Sequence, residues 1–148
     1  VHKVVEFISA STAGIVRVEL GFEPDWCIFA QAHGATNPNI YLWFNSKYKG
    51  SGDTEGWPAG LSLLLTGSSG VVTRDTSGIT VFAGGTKISS AETDNSSPKH
   101  IDVAGNPAGA NHVTAAGVVI PTDHQTNSGR NVLVAFKEDS AYFASIQA

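Results

Sequence analysis

Short apolar runs rich in β-branched residues recur along the whole chain, each closed by Gly, Pro, Asn, Asp or Ser, and this rhythm constrains the fold more than any other feature. The runs are His2 to Ile8, Ile15 to Leu20, Trp26 to Ala32, Ile40 to Phe44, Leu61 to Thr66, Gly70 to Arg74, Ile79 to Ala83, His100 to Val103, His112 to Ile120, Val132 to Lys137 and Tyr142 to Ile146. β-Branched and aromatic side chains suit a pleated, half-buried surface, and the residues between the runs supply turn geometry. No long segment holds a 3.6-residue apolar period with capping residues, which excludes a helical repeat. At 148 residues the chain has the size of one domain. The pattern predicts an all-β, single-domain β-sandwich, jelly-roll-like, spanning 1–148.

Alternation assigns the faces. In Ile15 to Leu20, Arg17 and Glu19 lie opposite Val16, Val18 and Leu20, which predicts one wet face. Cys27-Ile28-Phe29-Ala30 and Val132-Leu133-Val134-Ala135-Phe136 are apolar on both sides, the mark of central strands or of strands covered by a neighbouring subunit. Ala116 to Phe136 reads as one hairpin, with a strand ending at Pro121 and another restarting after Ser128-Gly129. Gly67-Ser68-Ser69-Gly70 and Gly84-Gly85 read as turns, the latter with positive φ. Lys47 to Gly60 and Ser89 to Lys99 are long polar excursions, expected at the rims.

Composition narrows the partners. Only 15% of residues are charged, the net charge is −4, and no Lys/Arg run occurs, so a nucleic-acid footprint is absent. No apolar stretch approaches the roughly 20 residues of a membrane helix. Val1-His2-Lys3 leads straight into a strand-like run, which reads as synthesis in the cytoplasm without a secretory leader; Asn95-Ser96-Ser97 would then never meet glycosylation machinery. Cys27, the lone cysteine, sits in an apolar run and reads as a small core residue.

Candidate chemistry is thin. His100-Ile101-Asp102 on a strand would put two metal-ligand types on one face, and Asp123-His124 is a second pair. Further ligands would have to come from His112, His33 or His2 without a metal-site spacing, so no metal or cofactor is expected, and Asp123 reads as a turn carboxylate. Ser68 lacks a nucleophile elbow, and the acid pairs Asp53/Glu55 and Glu92/Asp94 lie in polar loops. The chain reads as a non-enzyme. Tyr41, Trp43 and Phe44 are most simply core, whereas Trp57, between Gly56 and Pro58 with Tyr48 upstream, fits a partner contact, packing on its own loop, or a sugar platform. Tyr142, Phe143 and Ile146 form an apolar final strand that wants cover.

Two motifs carry a resemblance. Gly21-Phe22-Glu23-Pro24-Asp25 precedes an apolar strand, and near the end come Gly117, Val118, Ile120, Pro121, Asp123, Asn127, Gly129, Ala135 and Phe136. Together they resemble virion proteins of tailed bacteriophages, over about a third of the chain. The resemblance implies a capsid decoration or cement protein on the virion surface, made in the host cytoplasm, a homo-trimer bridging subunits of the major capsid protein. The expected contact residues are Phe22, Pro24, Tyr48, Trp57, Tyr142, Phe143 and Ile146. A tail or head-fibre component and a lectin-like carbohydrate-binding module are the alternatives.

Overall fold

A computed structural model describes residues 1–9, 14–33, 39–45, 61–66, 72–75, 78–88, 100–125 and 127–138. Among the described residues, ten strands form two sheets that pack face to face as a β-sandwich. In chain order they are β1 His2–Ile8, β2 Val16–Glu19, β3 Trp26–His33, β4 Asn39–Phe44, β5 Leu61–Thr66, β6 Val72–Asp75, β7 Thr80–Phe82, β8 His100–Ile101, β9 Gly117–Ile120 and β10 Arg130–Phe136. The larger sheet has the order β1-β10-β3-β4-β5-β6 and the smaller β7-β9-β2-β8. All neighbours pair antiparallel except β2 and β8, which run parallel.

The core lies where the alternating faces meet. From the larger sheet come Val5, Phe7, Cys27, Phe29, Tyr41, Trp43, Leu133 and Ala135; from the smaller come Val16, Val18, Ile101, Val118 and Ile120, with Leu20 and Ile79 beside them. Phe29 is at the centre of an aromatic cluster with Phe7, Tyr41 and the fully buried His124, whose ring stacks on Tyr41 with centroids 3.7 Å apart. As expected from their two-sided apolar runs, β3 and β10 are interior strands of the larger sheet.

The proposed hairpin over Ala116 to Phe136 is corrected by the topology. β9 belongs to the smaller sheet and β10 to the larger, so the polar segment between them is a crossover. Pro121 ends β9 and leads into a 3-10 turn, Thr122–His124, that turns the chain toward the other sheet. A buried amide network holds the crossing. Gln125 Nε2 donates to the Gly14 carbonyl at 2.8 Å, its Oε1 accepts from Ser9 Oγ at 3.0 Å, and Asn131 Nδ2 donates to Ser9 Oγ at 2.8 Å. Buried amides of this kind are stable only when so partnered.

The two motif segments are structural at this level. Asp25 is buried; its carbonyl accepts the Asn45 N–H and its carboxylate the Glu138 N–H at 2.6 Å, tying the ends of β4 and β10 to the start of β3. Gly117 has a steric reason: a Cβ there would stand 2.0 Å from the Val18 carbonyl oxygen. Only glycine lets β9 lie this close to β2.

Candidate functional site

The outer face of the smaller sheet is where the described residues gather polar side chains. In register, Arg17 of β2 pairs with His100 of β8 and Val119 of β9, while Glu19 pairs with Gly117, itself opposite Phe82 of β7. Arg17 and Glu19 do share the outward face, as their spacing predicts. Glu19, however, is fully buried, so the expectation of a uniformly wet face fails there.

The reason is a roof built from two remote segments. Residues 84–88 and 111–115 pair as an irregular antiparallel ribbon: Gly85 N–H donates to the Thr114 carbonyl at 2.7 Å, Thr114 N–H to Thr86 at 2.9 Å, and Ile88 N–H to His112 at 2.8 Å. The expected strand from His112 to Ile120 is therefore split; its first half serves the ribbon and only Gly117–Ile120 enters the sheet. Gly84 and Gly85 take positive φ, as expected, at 81° and 83°. At Gly84 the approach is so close that a Cβ would lie 2.6 Å from the Ala115 carbonyl carbon.

Beneath the roof, three donors converge on the Glu19 carboxylate. His100 Nε2 and His112 Nε2 lie 2.9 and 2.7 Å from the same oxygen, Oε2, and the Ala115 N–H donates to Oε1. An ionised carboxylate only accepts, so both imidazoles donate from Nε2. Burying a charge is tolerated when it is hydrogen-bonded to this degree. His100 is itself buried and meets the Phe82 ring edge-on, while His112 keeps a side-chain exposure of 31%.

Next to this cluster lies a cavity of about 260 Å³, lined by Arg17, Phe82, Thr86, Lys87, His100 and Thr114 among others. Two basic residues and a histidine are among its described lining residues, and no acidic residue is.

His100 and Asp102 do not share a strand face. β8 ends at Ile101, and the Asp102 carboxylate turns back to accept the N–H groups of Ala104 and Asn106 at 2.9 and 3.0 Å. Asp123 meets the imidazole of its neighbour His124 at 3.2 Å in the crossover. Among the described residues no group of three or more His, Cys, Asp or Glu is placed to hold a metal ion. Cys27 is fully buried, and burial pushes its thiol well above the ordinary range, which keeps it neutral and inert.

The outer face of the larger sheet differs in kind. Its rows run His2, Phe136, Trp26, Phe44; then Val4, Val134, Ile28, Leu42; then Glu6, Val132, Ala30, Ile40. Val4 is 56% and Ile40 41% exposed; most of the others are half-buried, and Trp26 stacks on Phe136 with centroids 3.9 Å apart. The solvent side of an antiparallel sheet is ordinarily polar. Here it is apolar on β10, β3 and β4 and at Val4 of β1, with His2 and Glu6 of β1 at its margin.

Of the expected contact residues, Phe22 is half-buried against the core and Pro24 is buried, its carbonyl accepting from Asn45 Nδ2 at 3.0 Å; both are placed by packing within their own chain. Trp43 is core, whereas Phe44 belongs to the outer face. Tyr48, Trp57, Tyr142, Phe143 and Ile146 lie outside the described residues, as do the two polar excursions. Comparison with known protein families, curated proteins and solved structures finds no match to this chain.

Proposed function

We propose that this protein is a structural component of a tailed-phage particle, a decoration or cement protein that docks on the capsid through the apolar outer face of its larger sheet. The observation that carries the reading is that face: Val4, Val134, Ile28, Leu42, Val132 and Ile40 in adjoining rows, where water would ordinarily select polar residues. With strands about 4.8 Å apart and same-face residues about 6.8 Å apart, the apolar positions of those rows, His2 and Glu6 left out, give a patch on the order of 300 Å². That falls in the range of the largest apolar patch on an ordinary monomer, about 300–600 Å², which is often a functional one. It is less than half of the roughly 800 Å² that one partner gives to a stable interface.

Such a patch holds weakly alone and firmly in many linked copies, which is how a trimeric cement protein works: small contacts repeated over a shell sum by avidity. The resemblance in Gly21 to Asp25 and Gly117 to Phe136 supports the particle setting, and the sandwich is a compact, rigid platform for it.

The test is the molar ratio of this chain to the major capsid protein in purified particles, with an Ile28→Lys/Val134→Lys variant beside the parent. Hundreds of copies per particle, lost in the folded variant, support the reading. A handful of copies would mark a tail or fibre part, and undiminished capsid binding by the variant would overturn the assigned face.

A further inference from the structure

We infer that β1 is a two-fold contact: a second copy of this chain lays its own β1 antiparallel along the open edge of the larger sheet, with Val4 on the axis. It uses the strand edge, is distinct from any three-fold contact, and stands whether or not the outer face docks on a particle. β1 ends the larger sheet, and among the described residues β10 is the strand it pairs with. Exposure along one row agrees: Val134, Ile28 and Leu42 are half-buried, whereas Val4 beside them is 56% exposed and Ile8 further along the strand 57%.

The backbone bonds fix which groups face outward. Val1 and Lys137 bond each other twice, at 3.1 and 2.8 Å, and the Ser9 N–H donates to the Gly129 carbonyl at 2.8 Å. Antiparallel bonding alternates with a period of two, so Lys3, Val5 and Phe7 bond β10 while His2, Val4, Glu6 and Ile8 turn their N–H and C=O groups to the open side. Such an edge is a template for another strand unless it is guarded, often by lysine. Lys3, the lysine of this strand, instead donates its ammonium to the Val103 carbonyl of its own chain.

A second copy is the occupant because the strand complements itself. Only registers that set even residues against even residues align the free groups. With Val4 on the axis, each His2 imidazole, a donor in either charge state, meets the Glu6 carboxylate of the other copy, and two exposed valines meet between them. The His2 ring lies beside Phe136 with centroids 6.2 Å apart, a contact that uses no N–H. Moving the axis to Val5 would set Glu6 against Val4, and moving it to Glu6 would set two carboxylates face to face. The pairing also joins the apolar rows of both copies into one surface.

The experiment is amide hydrogen exchange with sedimentation, on the chain alone at about 10 μM and about 1 mM, a range that brackets the weak association of a small interface. A monomer–dimer shift is expected, with exchange at Val4 and Glu6 slowed at least about threefold at the higher concentration and Ile8, beyond the paired stretch, unchanged. Val4→Pro deletes an N–H that β10 does not use, and should abolish the shift in a folded protein. Glu6→Lys should abolish it too, and His2→Glu/Glu6→Lys should restore it. A chain that stays monomeric at about 1 mM, Val4 and Glu6 amides that exchange there as fast as Ile8, or Glu6→Lys dimerising like the parent would each overturn the contact. Failure of the double variant to recover would overturn the register.

Discussion

Glu19→Ala removes a carboxylate to which a buried imidazole and a part-buried backbone N–H both donate, and its cost can be worked from the geometry. His100 Nε2 loses this acceptor in a buried position and the Ala115 N–H loses it in a part-buried one, while His112, 31% exposed, can turn to solvent. Each stranded buried donor costs about 1–3 kcal/mol, so the pair comes to roughly 2–6 kcal/mol. The central expectation is about 4 kcal/mol, a large fraction of the roughly 5–15 kcal/mol that holds a domain together. Glu19→Gln is the informative companion. Its carbonyl still accepts from Ala115, and its amide hydrogens meet both imidazoles once these switch to the Nδ1–H tautomer, so the loss should be about 1–2 kcal/mol. Urea denaturation followed by the fluorescence of buried Trp43 reads both values, the midpoint moving with an unchanged slope. A loss below about 1 kcal/mol for Glu19→Ala, or a Gln variant as damaged as the Ala variant, would refute the acceptor argument.

Gly117→Ala forces a Cβ to within 2.0 Å of the Val18 carbonyl oxygen in the middle of the smaller sheet, and should cost about 3 kcal/mol or more in the same denaturation assay; a loss under about 1 kcal/mol would show that β2 and β9 can separate freely. The Cys27 thiol, held neutral by burial, should react with a disulfide reagent at pH 8 only as fast as the domain unfolds, and rapid labelling of the folded protein would contradict its place in the core. Asn131→Ala removes one of two bonds at Ser9 Oγ, which still donates to Gln125, and one of two at the Gly129 carbonyl, which still accepts the Ser9 N–H, and should lower stability by about 1–2 kcal/mol, measured by thermal denaturation, whereas a neutral result would mean that water repairs the network.

The strands were legible because each carries β-branched or aromatic residues between turn formers, and β1 and β5 run as their apolar residues indicate. Pairing was less so. Val118 to Ile120 and Val132 to Phe136 look like a hairpin because they are close in sequence; nothing local records that Pro121 hands the chain to the other sheet. Glu19 shows the deeper limit. Alternation correctly points it outward, but whether outward means wet depends on a roof drawn from residues 84–88 and 111–115, far along the chain. The available hints were indirect: a Gly84-Gly85 pair with no phosphate to cradle, and His100 and His112 in a chain otherwise poor in charge. The apolar outer face could be read in part, since Ile28, Ala30, Val132 and Val134 were already apolar on the side a solvated sheet would make polar.

The placement of β10 between β1 and β3 has a consequence for how the protein is made. Among the described residues β1, His2–Ile8, pairs with Arg130–Phe136, so that ladder cannot form until the whole stretch between the two strands has been synthesised. Until then β3 also shows an unpaired edge. Completion of the larger sheet thus closes a very long loop, which favours slow folding and leaves a window for wrong strand partners.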